Sequence, residues 1–151
     1  MKHTDIKSII GSKEEFIGKT VTVCGWVRTS RNSKSVAFAE LNDGTSLKNI
    51  QVVIEKNDST DFKEPRVGMA VKVTGTAVEG RNNTVEINAV PGDIQILGDC
   101  PTDYPLQKKG HTLEFLRSIP HLRGRTNTFN AVWRVRSVLA ASLHKYFQSN
   151  N

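Results

Sequence analysis

Residues Val21 to Ile54 read VTVCGWVRTSRNSKSVAFAELNDGTSLKNIQVVI, three β-type runs separated by turn signals. Val21 to Thr29 alternates and is rich in β-branched residues, Val36 to Leu41 follows it, and Leu47 to Ile54 makes the third run. Between the last two, Asn42-Asp43-Gly44 is a turn signal in which Gly44 can take positive φ. Within this stretch an arginine (Arg31), an aromatic (Phe38) and an amide (Gln51) recur where strand geometry can gather them on one face. An aromatic ring offers a stacking plane for an unstacked base, and guanidinium and amide groups offer hydrogen bonds to base edges.

Outward from this stretch the β texture continues. Val67 to Val78 is a fourth run, Gly80-Arg81-Asn82-Asn83 turns the chain into Thr84 to Asn88, and Pro91-Gly92 precedes Ile94 to Leu97. Residues 55–66 read as a polar connection with room for a short helical turn. Five or six short strands with close turns predict a mainly β protein with a closed barrel, in which Gly25, Gly68 and Gly75 occupy places where a small barrel bends. Before the first strand, Thr4 to Ile10 reads as a short helix capped by Thr4 and ending at Gly11.

From Cys100 the texture changes. Pro101 and Pro105 mark a hinge, and Thr112 caps a short helix through Arg117, with Glu114 in its first turn. Thr126 to Ser149 predicts a long helix, because Val132, Val135, Leu139, Leu143 and Tyr146 recur at helical spacing and Phe129, Trp133 and Phe147 widen the apolar stripe. Arg134, Arg136 and Lys145 fall on its wetter side. The organisation read is a barrel domain over 1–100, a hinge over 101–125 and a helix over 126–151. A helix so apolar on one face must pack on something, and the chain ends just after it, which reads as truncation.

The 151 residues carry a net charge of +6 that is unevenly placed. Residues 1–103 hold 13 Lys and Arg against 14 Asp and Glu, whereas residues 104–151 hold 8 basic residues against Glu114 alone. The barrel must therefore bind through specific residues, while the tail's excess suits an acidic partner or a missing piece of protein. No apolar run is long enough to span a membrane, and the N-terminus has no secretory-signal pattern. Cys24 and Cys100 form no disulfide framework; Cys24, mid-strand, reads as an inert buried thiol, and a reduced, cytoplasmic protein is expected.

The sequence shows no phosphate-binding GxxxxGK[ST] loop, no serine in a nucleophile elbow, and no metal-ligand spacing among His3, His111, His121, His144 and the cysteines. Self-contained catalysis is not expected, and Glu40 and Asp43 read as structural. Trp26 is expected in the core or as a lid on the barrel. Phe38 lies outside if Ala37 and Ala39 face the interior, and is core if they do not. Arg28 and Arg31 end the first strand, and Gln51 points outward between Ile50 and Val52; each can equally be a solvated side chain.

At these residues the chain resembles the anticodon-binding domain of the class II aminoacyl-tRNA synthetases of the aspartate, asparagine and lysine group. The pattern is Gly25-Trp26-Val27 running through Arg31, then Phe38, then Gln51-Val52. The resemblance implies a five-stranded Greek-key oligonucleotide-binding (OB) barrel. It also implies that Phe38 stacks on the central uridine of the anticodon while Arg31 and Gln51 hydrogen-bond it, with Arg28 beside them. Thr112 to Arg117, His121 to Asn127 and Ala131 to Arg136 are similar to the asparaginyl members, with Gly124 standing where proline is more usual. The long helix then resembles the opening of the first class II motif, which builds a homodimer interface. By the same resemblance the parent enzyme would use ATP and magnesium to join asparagine to tRNA, and this part would do neither. His111, His121, Arg123 and Arg125 either touch tRNA or bridge to a catalytic domain, bridging being preferred. Rival readings are a free-standing single-strand-binding OB module, a structural domain that uses the helix to dimerise, and the equivalent aspartyl or lysyl domain.

Overall fold

The computed structural model describes residues 2–56 and 62–151. The chain folds as two compact units, Met1–Lys109 and Gly110–Asn151. The first unit carries six strands: β1 (Thr20–Asn32), β2 (Val36–Asn42), β3 (Ile50–Glu55), β4 (Ala70–Glu79), β5 (Val85–Ala89) and β6 (Ile94–Gly98). Strand order is β1-β2-β3-β5-β4-β6, and an additional β1–β4 pairing closes the first five into a barrel. All pairings are antiparallel except β3 with β5. This is the OB architecture.

Alternation builds the core. Val21, Val23 and Val27 from β1, Ala37, Ala39 and Leu41 from β2, and Ile50, Val52 and Ile54 from β3 are all buried. They face Val71, Val73 and Ala77 of β4 and Val85, Ile87 and Ala89 of β5, so each strand supplies one face to a single interior. Full burial of a branched aliphatic side chain contributes about 1.5–3 kcal/mol. At the β4–β5 crossing, Gly75 lets the backbones approach: a Cβ there would lie 2.4 Å from the Asn88 carbonyl oxygen.

Two short helices, α1 (Ile6–Gly11) and α2 (Lys13–Phe16), precede the barrel. Thr4 does not cap α1. Asp5 occupies the N-cap without a side-chain bond, and the β2–β3 loop satisfies the exposed amides instead. Ile6 N–H donates to Asp43 Oδ2 at 2.8 Å and Lys7 N–H to Thr45 Oγ1 at 3.1 Å. Ile6 and Ile9 are fully buried. Asp43 is thus structural, as read.

Several boundaries differ from the reading. β1 runs three residues past Thr29 to Asn32. β3 begins at Ile50 and not Leu47, because Asn42 Nδ2 donates to the Ser46 and Lys48 carbonyls and to Asn49 Oδ1, holding these residues in a loop. Gly44 takes the expected positive φ of 85°. Cys24 is half-buried on the outer face and not enclosed, since Val21 and Val23 take the inward positions. Of the connection at residues 55–66, where the sequence reading has room for a helical turn, residues 62–66 form no helix and residues 57–61 lie outside those described.

The second unit holds α3 (Leu113–Ser118) and α4 (Asn127–Ser149), with a 3-10 turn over Arg123–Arg125 between them. The expected Thr112 cap forms, its Oγ1 accepting from Phe115 N–H at 3.1 Å, and Thr126, read as the first residue of the long helix, is its N-cap, with Oγ1 accepting from Phe129 N–H at 3.4 Å. On α4, Val135, Leu139, Leu143 and Tyr146 are exposed. At Gly124, where the resemblance leads one to expect proline, the ring of Trp133 takes up the space beside the backbone: a Cβ would lie 2.1 Å from its Cζ3.

Candidate nucleic-acid interface

The outer wall of β1, β2 and β3 is built by register. Arg31 pairs with Phe38 across β1 and β2. Phe38 pairs with Val53 and Glu40 with Gln51 across β2 and β3, while Gln51 continues to Glu86 on β5. Ala37 and Ala39 are buried, so Phe38 and Glu40 face outward. This settles the alternative left by the sequence: the Phe38 ring is half-buried on the outer surface. Gln51 likewise lies between buried Ile50 and Val52 and points outward. Phe38 and Gln51 are diagonal neighbours on adjacent strands, within reach of one flat ligand.

Arg31 reaches this face through a β-bulge. The β1–β2 register shifts between Val27, opposite Leu41, and Thr29, opposite Glu40. Arg28 is the extra residue. Val21, Val23 and Val27 are odd-numbered and buried, so strict alternation would turn Arg31 inward. One inserted residue reverses the sense of everything after it. Arg31 is exposed, with its Cζ 5.9 Å from the centre of the Phe38 ring. Arg28 is half-buried in the bulge itself, outside the Arg31–Phe38 pair.

Trp26 belongs to this outer surface and not to the core: it pairs with Asn42 and is 39% exposed. Tryptophan's usual burial misleads here, because Gly25 and Val27 flank it and Val27 takes the inward position. The sequence reading also missed the carboxylates beside Gln51. Glu40, which accepts from Asn49 Nδ2 at 3.2 Å, and Glu86 bracket the amide. Register alone places them there, and the sequence does not print register. Two carboxylates repel phosphate, so this part of the wall suits base edges with hydrogen-bond donors more than a sugar–phosphate backbone.

In the second unit, the ring of His111 stacks on Phe115 at 5.2 Å and the Arg123 guanidinium lies 4.9 Å from the centre of Phe129. His121 is exposed and Arg125 half-buried. Among the described residues, no group of three or more His, Cys, Asp or Glu can hold a metal ion, and no helix is long and apolar enough to cross a membrane.

Residues 21–97 match the tRNA anti-codon family, described as an OB-fold nucleic acid binding domain. The chain is 48% identical over 153 aligned residues to the asparagine–tRNA ligase of Acetivibrio thermocellus, covering 98% of this chain and 32% of that protein. It is 45% identical to the asparagine–tRNA ligase of Clostridium kluyveri, covering 100% of this chain and 33% of that one. It thus spans about a third of the length of these curated relatives. The crystal structure of asparaginyl-tRNA synthetase from Pyrococcus horikoshii superposes on 99% of this chain and 36% of its own with a TM-score of 0.79 at 17% identity, a likeness of fold.

Proposed function

The chain belongs to the tRNA anti-codon family of OB-fold nucleic acid binding domains, and from that premise we infer that its barrel reads the anticodon loop of a tRNA. Phe38 stacks on a splayed central base, while Arg31 and Gln51 hydrogen-bond its edge, with Arg28 shaping the strand that presents Arg31. One observation carries this reading. A bulge and two registers bring an exposed guanidinium, a half-buried ring and an outward amide onto one wall, whereas each residue alone would be ordinary surface.

The identity to asparagine–tRNA ligases along nearly the whole chain supports placing this recognition step within such a ligase. On that reading the cognate partner is an asparagine tRNA, and the whole ligase, a homodimer in the cytoplasm, uses ATP and magnesium to join asparagine to that tRNA. The residues assigned here serve recognition alone. Titration of the chain with anticodon stem-loops tests the proposal. A stem-loop with uridine at the centre should bind more tightly than one with a purine there, and the preference should vanish in Phe38→Ala. Equal affinity for all stem-loops, or a Phe38→Ala chain that binds as well as the parent, would reject it.

A further inference from the structure

Lys56 follows β3 and looks like a phosphate contact: a lysine beside a strand wall read as a nucleic-acid surface. Its hydrogen bonds say otherwise. Nζ donates to Glu64 Oε1 at 2.5 Å, to the Ser33 carbonyl at 3.1 Å, and to Asn32 Oδ1. An ammonium group has three donors, and all three are committed within the protein. Asn32 Nδ2 donates in turn to Glu64 Oε2, closing a ring of three side chains. The Lys56 backbone N–H donates to the Ser35 carbonyl at 2.9 Å. The Lys56 side chain is only 20% exposed, although Asn32 and the turn from Ser33 to Ser35 are exposed. Its ion pair and the Asn32 amide hold the Glu64 carboxyl below the usual carboxylate range.

We propose that Lys56, Glu64 and Asn32 form a clamp that fixes the turn end of the β1–β2 hairpin, and that Lys56 and Glu64 are positioning residues for Arg31. Arg31 is the residue next to Asn32 and lies on the last part of β1, where no core side chain anchors it. This part of β1 pairs with β2 alone, the β1–β4 ladder ending at Trp26, and a strand end with one neighbour frays unless it is tied. Tying it to Lys56 and Glu64 keeps the guanidinium beside the Phe38 ring before any ligand arrives, which lowers the ordering cost of binding. The proposal rests on the anticodon-loop reading above.

The test measures affinity for an anticodon stem-loop RNA by fluorescence anisotropy, across a range of salt concentrations. The chains compared are the parent, Lys56→Met, Glu64→Gln, Arg31→Ala, Phe38→Ala, and Lys56→Met combined with Arg31→Ala. Thermal melting without RNA checks each fold. Glu64→Gln alters a half-exposed carboxylate and serves if Lys56→Met does not fold. Expected is a loss of about tenfold in either clamp variant, with the slope of log affinity against log salt unchanged and little further loss on the Arg31→Ala background. A slope reduced by about one in Lys56→Met makes Lys56 a phosphate contact and overturns the clamp. So does an equal loss with and without Arg31, which marks a general structural role, and so does unchanged affinity in both clamp variants. If Arg31→Ala and Phe38→Ala bind as the parent does, the anticodon reading fails and takes the clamp with it. If they lose affinity while the clamp variants do not, the clamp alone fails.

Discussion

Phe38 is half-buried because a strand position on the outer wall of a barrel has neighbours on four sides and none above. Arg31 and Val53 flank it across the two ladders. The guanidinium over the ring, 5.9 Å from its centre, lies within cation–π range. This geometry separates stacking from packing. Phe38→Leu keeps an apolar side chain beside Val53 but removes the π-face. It should unfold at nearly the parent's urea midpoint while losing about 1–3 kcal/mol of stem-loop affinity, as read by titration calorimetry. Affinity held at the parental value with the fold intact would show that no base stacks there.

At the scale of elements, side chains in loops fasten the barrel's smaller parts. Asp43 accepts from Ile6 N–H, Thr45 N–H and Thr45 Oγ1, so Asp43→Ala should uncap α1 and loosen the β2–β3 loop together. A loss of about 1–2 kcal/mol in urea unfolding is expected, and a change within error would show that the Asp43 bonds contribute nothing. Past β6, the Asp99 carboxylate accepts from Lys63 Nζ at 2.6 Å, Arg66 Nη2 at 3.1 Å and its neighbour Cys100 N–H at 2.8 Å. These bonds, that from Lys63 first, lower its carboxyl from 3.8 to about 2. A depressed folded-state pKa means stability present above pH 3.8 and lost as pH falls toward 2. Asp99→Asn should therefore flatten the melting-temperature curve between about pH 4 and 2, modestly because the site is exposed. An unchanged acid limb would contradict the lowered pKa. These ties also mark the limit of what the sequence makes legible. Strand alternation in VAFAEL and helical spacing from Val132 to Tyr146 are written in the chain, and both elements form as read. The bulge at Arg28 is not: nothing in Arg28-Thr29-Ser30 marks an inserted residue, yet it decides which way Arg31 faces. Leu47 looks like strand, but Asn42 at the far side of the turn holds it in a loop. Local pattern gives elements, whereas register and long-range capping depend on partners far along the chain.

The whole molecule divides its charge between its two units. Residues 1–109 contain 15 Lys and Arg against 14 Asp and Glu, and residues 110–151 contain 6 against 1. A ligand that the barrel reads through bases alone meets little net field, with Glu40 and Glu86 in the wall and Lys56 tied up by its neighbours. Few counterions should then leave the RNA on binding. The slope of log affinity against log salt for an anticodon stem-loop should be shallow, about −1 to −2, as one or two phosphate contacts would give. The second unit supplies a control. Arg134 and Arg136 on α4 contribute to its positive charge, so replacing both with glutamine lowers the chain's net charge from +6 to +4. If base contacts on the barrel wall dominate, that double variant should keep both the parent's affinity at about 150 mM salt and its slope. If the basic unit carries the RNA, the parent's slope will be steep and the variant's will fall by about one or more. Affinity would then rest on charge and tolerate any loop sequence, which the base-reading wall does not allow. The two measurements together decide whether this chain recognises a loop by its bases or merely attracts its backbone.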